Sequence, residues 1–264
     1  GWSLCLSADG SIVAIGASGN DGNGNDSGHV RVYKNTNSIW TQLGADIDGE
    51  AAEDRSGGSV SLSADGSIVA IGATLNDGNG DNSGHVRVYE NNNGTWTKLG
   101  ADIDGEVAED NSGWSVSLSA DGQIMAIGAI GNDGNGNRSG HVRVHVNNNG
   151  TWSQLGADID GEAVNDLSGR SVGLSANGSI VAIGASSNDA NGNNSGHVRV
   201  YKNNNDTWTQ LGDDIDGEAA DDFSGRSVSL SADGSLVAIG ATLNDGNGID
   251  YGHIRVYKNN NDTW

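Results

Sequence analysis

One interval dominates the sequence: Trp40, Trp96, Trp152, Trp208 and Trp264 follow one another at steps of 56 residues. The same step links Gly10, Gly66, Gly122, Gly178 and Gly234, and also His29, His85, His141, His197 and His253, with no insertion or deletion. A unit copied at a fixed period cannot bury its own apolar face and does so against its neighbours, which restricts the fold to solenoids, propellers and related arrays. Five full units need 280 residues, so the chain of 264 leaves the fifth sixteen short. The expected organisation is one domain over residues 1–264, with repeats at 1–56, 57–112, 113–168, 169–224 and 225–264.

Each unit reads as four short strands. In the second copy, Ser59 to Ser63 alternates serine with Val60 and Leu62, the period of a strand with one buried face. After the turn Ala64-Asp65-Gly66, the run Ile68 to Ala73 is continuously apolar, as in a strand covered on both sides. His85 to Tyr89 alternates again, and Asn91-Asn92-Asn93-Gly94 supplies residues that tolerate positive φ in a hairpin. A fourth strand is expected from Trp96 through Leu99 to about Ile103. No segment has a helical period. Four strands per unit without helices predict an all-β β-propeller of five four-stranded blades, the last incomplete, or five units of a larger ring. A parallel β-helix competes, but its coils are shorter and need no such hairpin.

Composition narrows the function classes. With 35 acidic and 13 basic side chains the formal charge is −22, which disfavours nucleic acid and anionic lipid, both dense negative surfaces. No run approaches the ~20 apolar residues of a membrane-spanning helix. The single cysteine, Cys5, permits no intrachain disulfide. Gly1 stands inside a repeat without a leader pattern, so the chain is expected to be a mature or excised segment of something longer.

Three stretches carry a family likeness: Ser-Gly-Trp-Ser-Val at Ser112 to Val116, Ile-Gly-Ala at Ile127 to Ala129, and Ser-Gly-His-Val-Arg-Val at Ser139 to Val144. They resemble the FG-GAP-type propeller repeat of the integrin α-subunit head and of many secreted microbial and algal proteins. The family's Phe-Gly is Ser56-Gly57 here, and the proline of its Gly-Ala-Pro is replaced by Ser18, Thr74 or Ile130. The resemblance implies the fold. The integrin-like calcium loop between the first two strands does not carry over, because that turn is only Ala64-Asp65-Gly66.

Two acidic elements offer ligand chemistry. The loop between the second and third strands places oxygens at alternate positions: Asp21, Asn23 and Asn25; Asp77, Asn79 and Asp81; Asp133, Asn135 and Asn137; Asp189, Asn191 and Asn193. Such Asp-x-Asn-x-Asn loops suit Ca2+, which prefers six to eight oxygens, although no bidentate glutamate follows at the twelfth position; as ordinary Asx turns they need no ion. Ile249 breaks the pattern in the fifth copy. The second element follows the fourth strand, with Asp46, Asp48, Glu50 and Asp54 in the first copy. Those carboxylates need cations or solvent to screen them, so an ion or a solvated rim both fit.

Ser, His and Asp are abundant, but each strand-borne His recurs at one position in every copy, whereas a catalytic triad needs one asymmetric pocket. His29 and Arg31 fall on the opposite face of their strand from Val30 and Val32, where they serve bonds between strands or blades. Asn-x-Ser/Thr sequons recur on the hairpin at Asn93, Asn149, Asn205 and Asn261, expected glycan sites in a eukaryotic secretory route. The expected function is a non-enzymatic extracellular or cell-surface module for adhesion, matrix or surface assembly, stabilised by calcium. The alternative is a multivalent lectin with pockets between blades. Its expected partners are proteins or glycans, with neither nucleic acid nor membrane insertion.

Overall fold

The computed structural model describes residues 1–246 and 248–264, which are all β with no helix. The fold is a β-propeller of five blades, the last with three strands. The first blade contains β1 (Ser3–Leu6), β2 (Ile12–Ala17), β3 (His29–Thr36), β4 (Ile39–Gln42) and the two-residue β5 (Ile47–Asp48). The second repeats the pattern with β6 (Ser59–Leu62), β7 (Ile68–Ala73), β8 (His85–Asn92), β9 (Thr95–Lys98) and β10 (Ile103–Asp104). Within a blade the first four strands form an antiparallel meander, and the short fifth pairs with the third strand beyond the end of the fourth.

The outermost strand therefore differs from its expected course. Instead of running from Trp96 to Ile103 it breaks at Leu99-Gly100-Ala101 and resumes as β10. Gly100 sits at φ +88°, a left-handed conformation that an extended strand does not contain, so the chain steps aside before rejoining β8. The hairpin is as expected: Asn93, Asn149, Asn205 and Asn261 are exposed and sit at φ 51° to 52°.

The chain packs as two compact units, residues 1–125 with 145–153, and residues 126–144 with 154–264. The first unit holds the first two blades, the second holds the last two, and the third repeat contributes strands to both. In the first unit, Ile12, Val30, Val32 and Ile47 of the first blade pack on Val60, Leu62, Val69 and Ile71 of the second. In the second unit, Val198, Val200 and Ile215 meet Val237 and Ile239 in the same way. The continuously apolar run predicted to be covered on both faces is buried throughout in β7.

Polar groups reinforce each joint. The Trp96 indole donates to the Leu43 carbonyl of the preceding blade at 2.8 Å, and Trp208 and Trp264 repeat the bond to Leu155 and Leu211. The turns after the first strands are linked blade to blade, with the Ala8 amide bonded to the Ala64 carbonyl, Ala64 to Ala120, and Ala176 to Ala232, each at 2.8 Å. Gly72 makes the close approach possible, since a Cβ there would stand 2.1 Å from the Gly113 carbonyl oxygen of the next repeat.

Candidate metal centre

The register between the third and fifth strands decides what meets at the blade edge. His29 lies opposite Asp48 and Val30 opposite Ile47, so the valine and isoleucine enter the core while histidine and carboxylate share the other face. The same pairing sets His85 against Asp104 and His197 against Asp216. Each strand-borne histidine thus meets the acidic segment that follows the fourth strand, and in later blades also a glutamate arriving from the preceding repeat.

In the fourth blade, Glu162, His197 and Asp214 bring three donor atoms within 4.8 Å of one another. The His197 Nδ1 is 3.8 Å from Glu162 Oε2, 3.7 Å from Asp214 Oδ2 and 4.0 Å from Asp216 Oδ1. Its side chain is 1% exposed, and neither ring nitrogen has a hydrogen-bond partner. Burial pulls its pKa down, assisted by the Arg199 guanidinium, so the imidazole is held neutral with a lone pair to offer. The two carboxylates are fixed from outside: Arg199 Nη1 lies 3.5 Å from Glu162 Oε1, and Gln210 Nε2 donates to Asp214 Oδ1 at 2.6 Å. Arg199 is itself anchored by donating to the Asp160 carbonyl at 2.6 Å.

The other copies differ in chemically relevant ways. In the second, Glu50, His85 and Asp102 form the equivalent cluster, and burial takes His85 down to about 4. Here Lys98 takes the place of Gln42, Gln154 and Gln210 of the first, third and fourth copies and stands 2.5 Å from Asp102 Oδ1, so a fixed cation already occupies the carboxylate. In the first, Arg31 is paired with Asp46, with Nε at 2.9 Å from Oδ1 and Nη2 at 2.8 Å from Oδ2. That guanidinium holds Asp46 below the usual carboxylate range, while His29 remains 3.6 Å from Asp46 and 3.9 Å from Asp48. In the third, His141 Nδ1 is 3.9 Å from Asp158 Oδ2. In the fifth, His253 meets Glu218 at 3.7 Å.

These spacings fit a metal better than they fit hydrogen bonds. Contacts of 3.7 to 3.8 Å from His197 to carboxylate oxygens are too long to be hydrogen bonds. Two ligands held about 2.1 Å from one ion stand at most about 4.2 Å apart, so a small closure brings the donors into a coordination sphere. One imidazole and two carboxylates suit a borderline ion of the zinc class more than calcium, which takes oxygen.

The Asp-x-Asn-x-Asn loops carry a hydrogen-bond network of their own. Asp77, Asp133 and Asp189 each accept a backbone amide five residues on, from Asn82, Arg138 and Asn194, and Asp21 does the same for Asp26. Asn23, Asn79, Asn135 and Asn191 donate their side-chain amides to the carbonyls of Gly49, Gly105, Gly161 and Gly217, stapling the loop to the acidic return. Asn25 lends its backbone carbonyl to Glu53, Asp81 to Glu109, Asn137 to Asn165 and Asn193 to Asp221. The histidines and the second acidic element are each visible in the sequence, and the signal that joins them is the strand register that places His29 against Asp48.

The FG-GAP repeat model matches residues 98–144. No curated protein sequence matches the chain. Among solved structures it is similar to hydrazine synthase of Kuenenia stuttgartiensis, with a TM-score of 0.63 and 12% identity over 98% of this chain and 63% of that one. A putative 6-phosphogluconolactonase from Bacteroides uniformis gives 0.58 and 13% over 99% and 81%. A periplasmic gluconolactonase from Pseudomonas aeruginosa gives 0.59 and 18% over 90% and 64%. The chain thus spans less than two thirds of the synthase and the periplasmic lactonase, and at these identities the likeness is one of fold.

The comparisons correct two expectations. These three similar structures carry the names of enzymes, not of adhesion or assembly modules, which overturns both the adhesion or lectin reading and the reading as a non-enzyme. Equivalent positions do not make equivalent sites, since Arg31 and Lys98 give the first and second clusters a chemistry that the fourth does not have.

Proposed function

Because this chain is built of FG-GAP-type propeller repeats, whose blade edges here bring His and carboxylates together, we propose that it is a divalent-metal-binding propeller with its principal site at Glu162, His197 and Asp214. The observation that carries the reading is His197: buried, neutral, without a hydrogen bond on either ring nitrogen, and facing carboxylates from two successive repeats. Three protein ligands leave coordination positions for water or substrate. A bound ion of the zinc class supplies Lewis-acid activation of water or of a carbonyl. Arg199 and Gln210 hold the two carboxylates in place, and the partial exposure of Glu162 and Asp214 leaves an approach from solvent.

A second reading extends the first. Two similar structures are named as lactonases, and lactone ring opening is a carbonyl hydrolysis that such an ion assists, so hydrolysis of a sugar lactone is the activity proposed for the loaded protein. The proposed setting is outside the cytoplasm, which the periplasmic origin of one similar structure supports. Among the described residues no helix is long and apolar enough to cross a membrane. Calcium in the loops beginning at Asp21, Asp77, Asp133 and Asp189 is a separate proposal, supported by their oxygen-rich composition.

Isothermal titration of chelator-stripped protein with Zn2+ and with Ca2+ tests the site. Saturable Zn2+ binding that His197→Ala removes while the fold persists supports it, and Zn2+ binding that survives this substitution, or none at all, refutes it. Turnover of gluconolactone by the Zn2+-loaded protein and not by His197→Ala supports the lactonase reading, and equal rates for the two refute it.

A further inference from the structure

Between the acidic return of one blade and the hairpin of the next lies a hollow that recurs in both compact units. In the first unit Asp46-Ile47-Asp48 faces Tyr89 and Trp96 across about 400 Å3. In the second unit Asp158-Ile159-Asp160 faces Tyr201 and Trp208 across about 240 Å3, and Asp214-Ile215-Asp216 faces Tyr257 and Trp264 across about 300 Å3. Register explains the recurrence. Ile47, Ile159 and Ile215 are buried in the core, so the two aspartates flanking each of them share the opposite, open face. On the facing hairpin Tyr201 pairs with Gln210 and Asn203 with Trp208, which makes Tyr201 and Trp208 diagonal neighbours on one face, as Tyr89 and Trp96 are in the first unit.

The lining chemistry is one-sided. Each indole N–H is spent on a carbonyl of the preceding blade, at Leu43, Leu155 and Leu211, so the tryptophans offer the hollows only their rings. The first hollow is lined by two aspartates and the others by three each, Asp206 and Asp213 being the additions, and no lining residue is a lysine or arginine. Arg199, which stacks 5.5 Å from the Tyr201 ring centre, has its charge met by Glu162, outside the hollow. Aromatic faces and carboxylates without a fixed cation among them repel anions and attract positive charge. The space exceeds what a bare metal ion fills, since its ligands stand about 2 to 2.6 Å away, and it suits a small organic cation.

We propose that these hollows bind small alkylammonium ions, with the positive nitrogen seated among tyrosine, tryptophan and aspartates. The joint between the second and third blades is a contrast within the same chain: His145 stands at the tyrosine position, and Lys98 already pairs with Asp102. The proposal needs no metal. Asp158 and Asp214 also belong to the His-carboxylate clusters, so its test is run in EDTA and stands or fails apart from Zn2+ binding at His197.

The probe is choline, compared with its uncharged carbon isostere dimethylbutanol at fixed ionic strength, and the readout is NMR of the indole N–H signals. Choline is expected to move the signals of Trp96, Trp208 and Trp264 saturably and to leave Trp152, at the Lys98 joint, in place. The isostere is expected to bind about tenfold more weakly, for want of charge over the rings. Asp206→Gly gives the second hollow the glycine that Gly94 provides in the first, at a position already at φ 62°, and is expected to weaken the Trp208 response about threefold while sparing Trp96. Asp160→Asn takes its place if circular dichroism shows that variant unfolded. Indoles that do not move, a Trp152 shift matching that of Trp208, an equal response to the isostere, or a Trp208 response unchanged by the aspartate substitution overturns the proposal.

Discussion

The contrast between a buried and an exposed copy of one valine makes a sharp test with one substitution made twice. Val200 and Val256 are the same residue at the same repeat position, and both belong to the second compact unit, yet Val200 is 1% exposed and Val256 66%. Truncating valine to alanine removes two methyl groups, worth about 1.6 kcal/mol of transfer free energy when fully buried at about 0.8 kcal/mol each. At Val200 the space left between the blades adds a cavity cost, giving about 2 to 3 kcal/mol in all. At Val256 only about a third of the transfer value applies, since solvent already covers the rest, and no enclosed cavity forms, leaving about 0.5 kcal/mol. The expected gap is therefore about 2 kcal/mol between two chemically identical changes. Urea denaturation of Val200→Ala and Val256→Ala measures it as a shift in midpoint at constant slope. Equal losses at the two positions, or a larger loss at Val256, would refute the burial of Val200 between the fourth and fifth blades.

Other expectations follow from the same geometry. Gly72→Ala drives a Cβ to 2.1 Å from the Gly113 carbonyl and should cost about 1 to 3 kcal/mol by overpacking; Gly240→Ala in the last blade, whose close neighbour is only the Ser227 side chain, should cost less in the same denaturation assay. Lys98→Gln removes the cation beside Asp102 and makes the second cluster like the fourth, so calorimetry should find one more Zn2+ bound per chain; unchanged stoichiometry would sink the idea that Lys98 blocks that cluster. The Asp233 carboxyl, held at about 2 by the Ser231 hydroxyl, the Ser235 amide and the Ser235 hydroxyl, should titrate in carbon NMR well below an ordinary aspartate. Its folded pKa lies under its unfolded one, so its contribution to stability is fully present above about pH 4 and fades as pH falls toward 2; titration near 4 would contradict the turn.

What could be read from the residues alone was whatever the 56-residue period repeats locally. Alternation in Ser59 to Ser63, the apolar run Ile68 to Ala73 and the Asn-rich hairpin each dictate a strand or turn through their own side chains, and these are where the structure agrees. The break at Gly100 was harder, because a glycine in a strand reads equally as a weak point or a bend, and only the pairing of Ile103 with Val86 shows which. The site lay further out of reach. Glu162 and His197 are 35 residues apart and meet because one blade's acidic return crosses onto the next blade's third strand, a relation that no spacing within a repeat encodes. Identical letters also concealed unlike environments: Arg87 and Arg199 donate to a carbonyl on the preceding blade, while Arg31 is paired with its own Asp46. Repetition in sequence therefore sets the scaffold of every blade, whereas the chemistry at each edge is set by its neighbours, so that the His-carboxylate clusters of the second and fourth blades, alike in their letters, differ by the lysine at position 98.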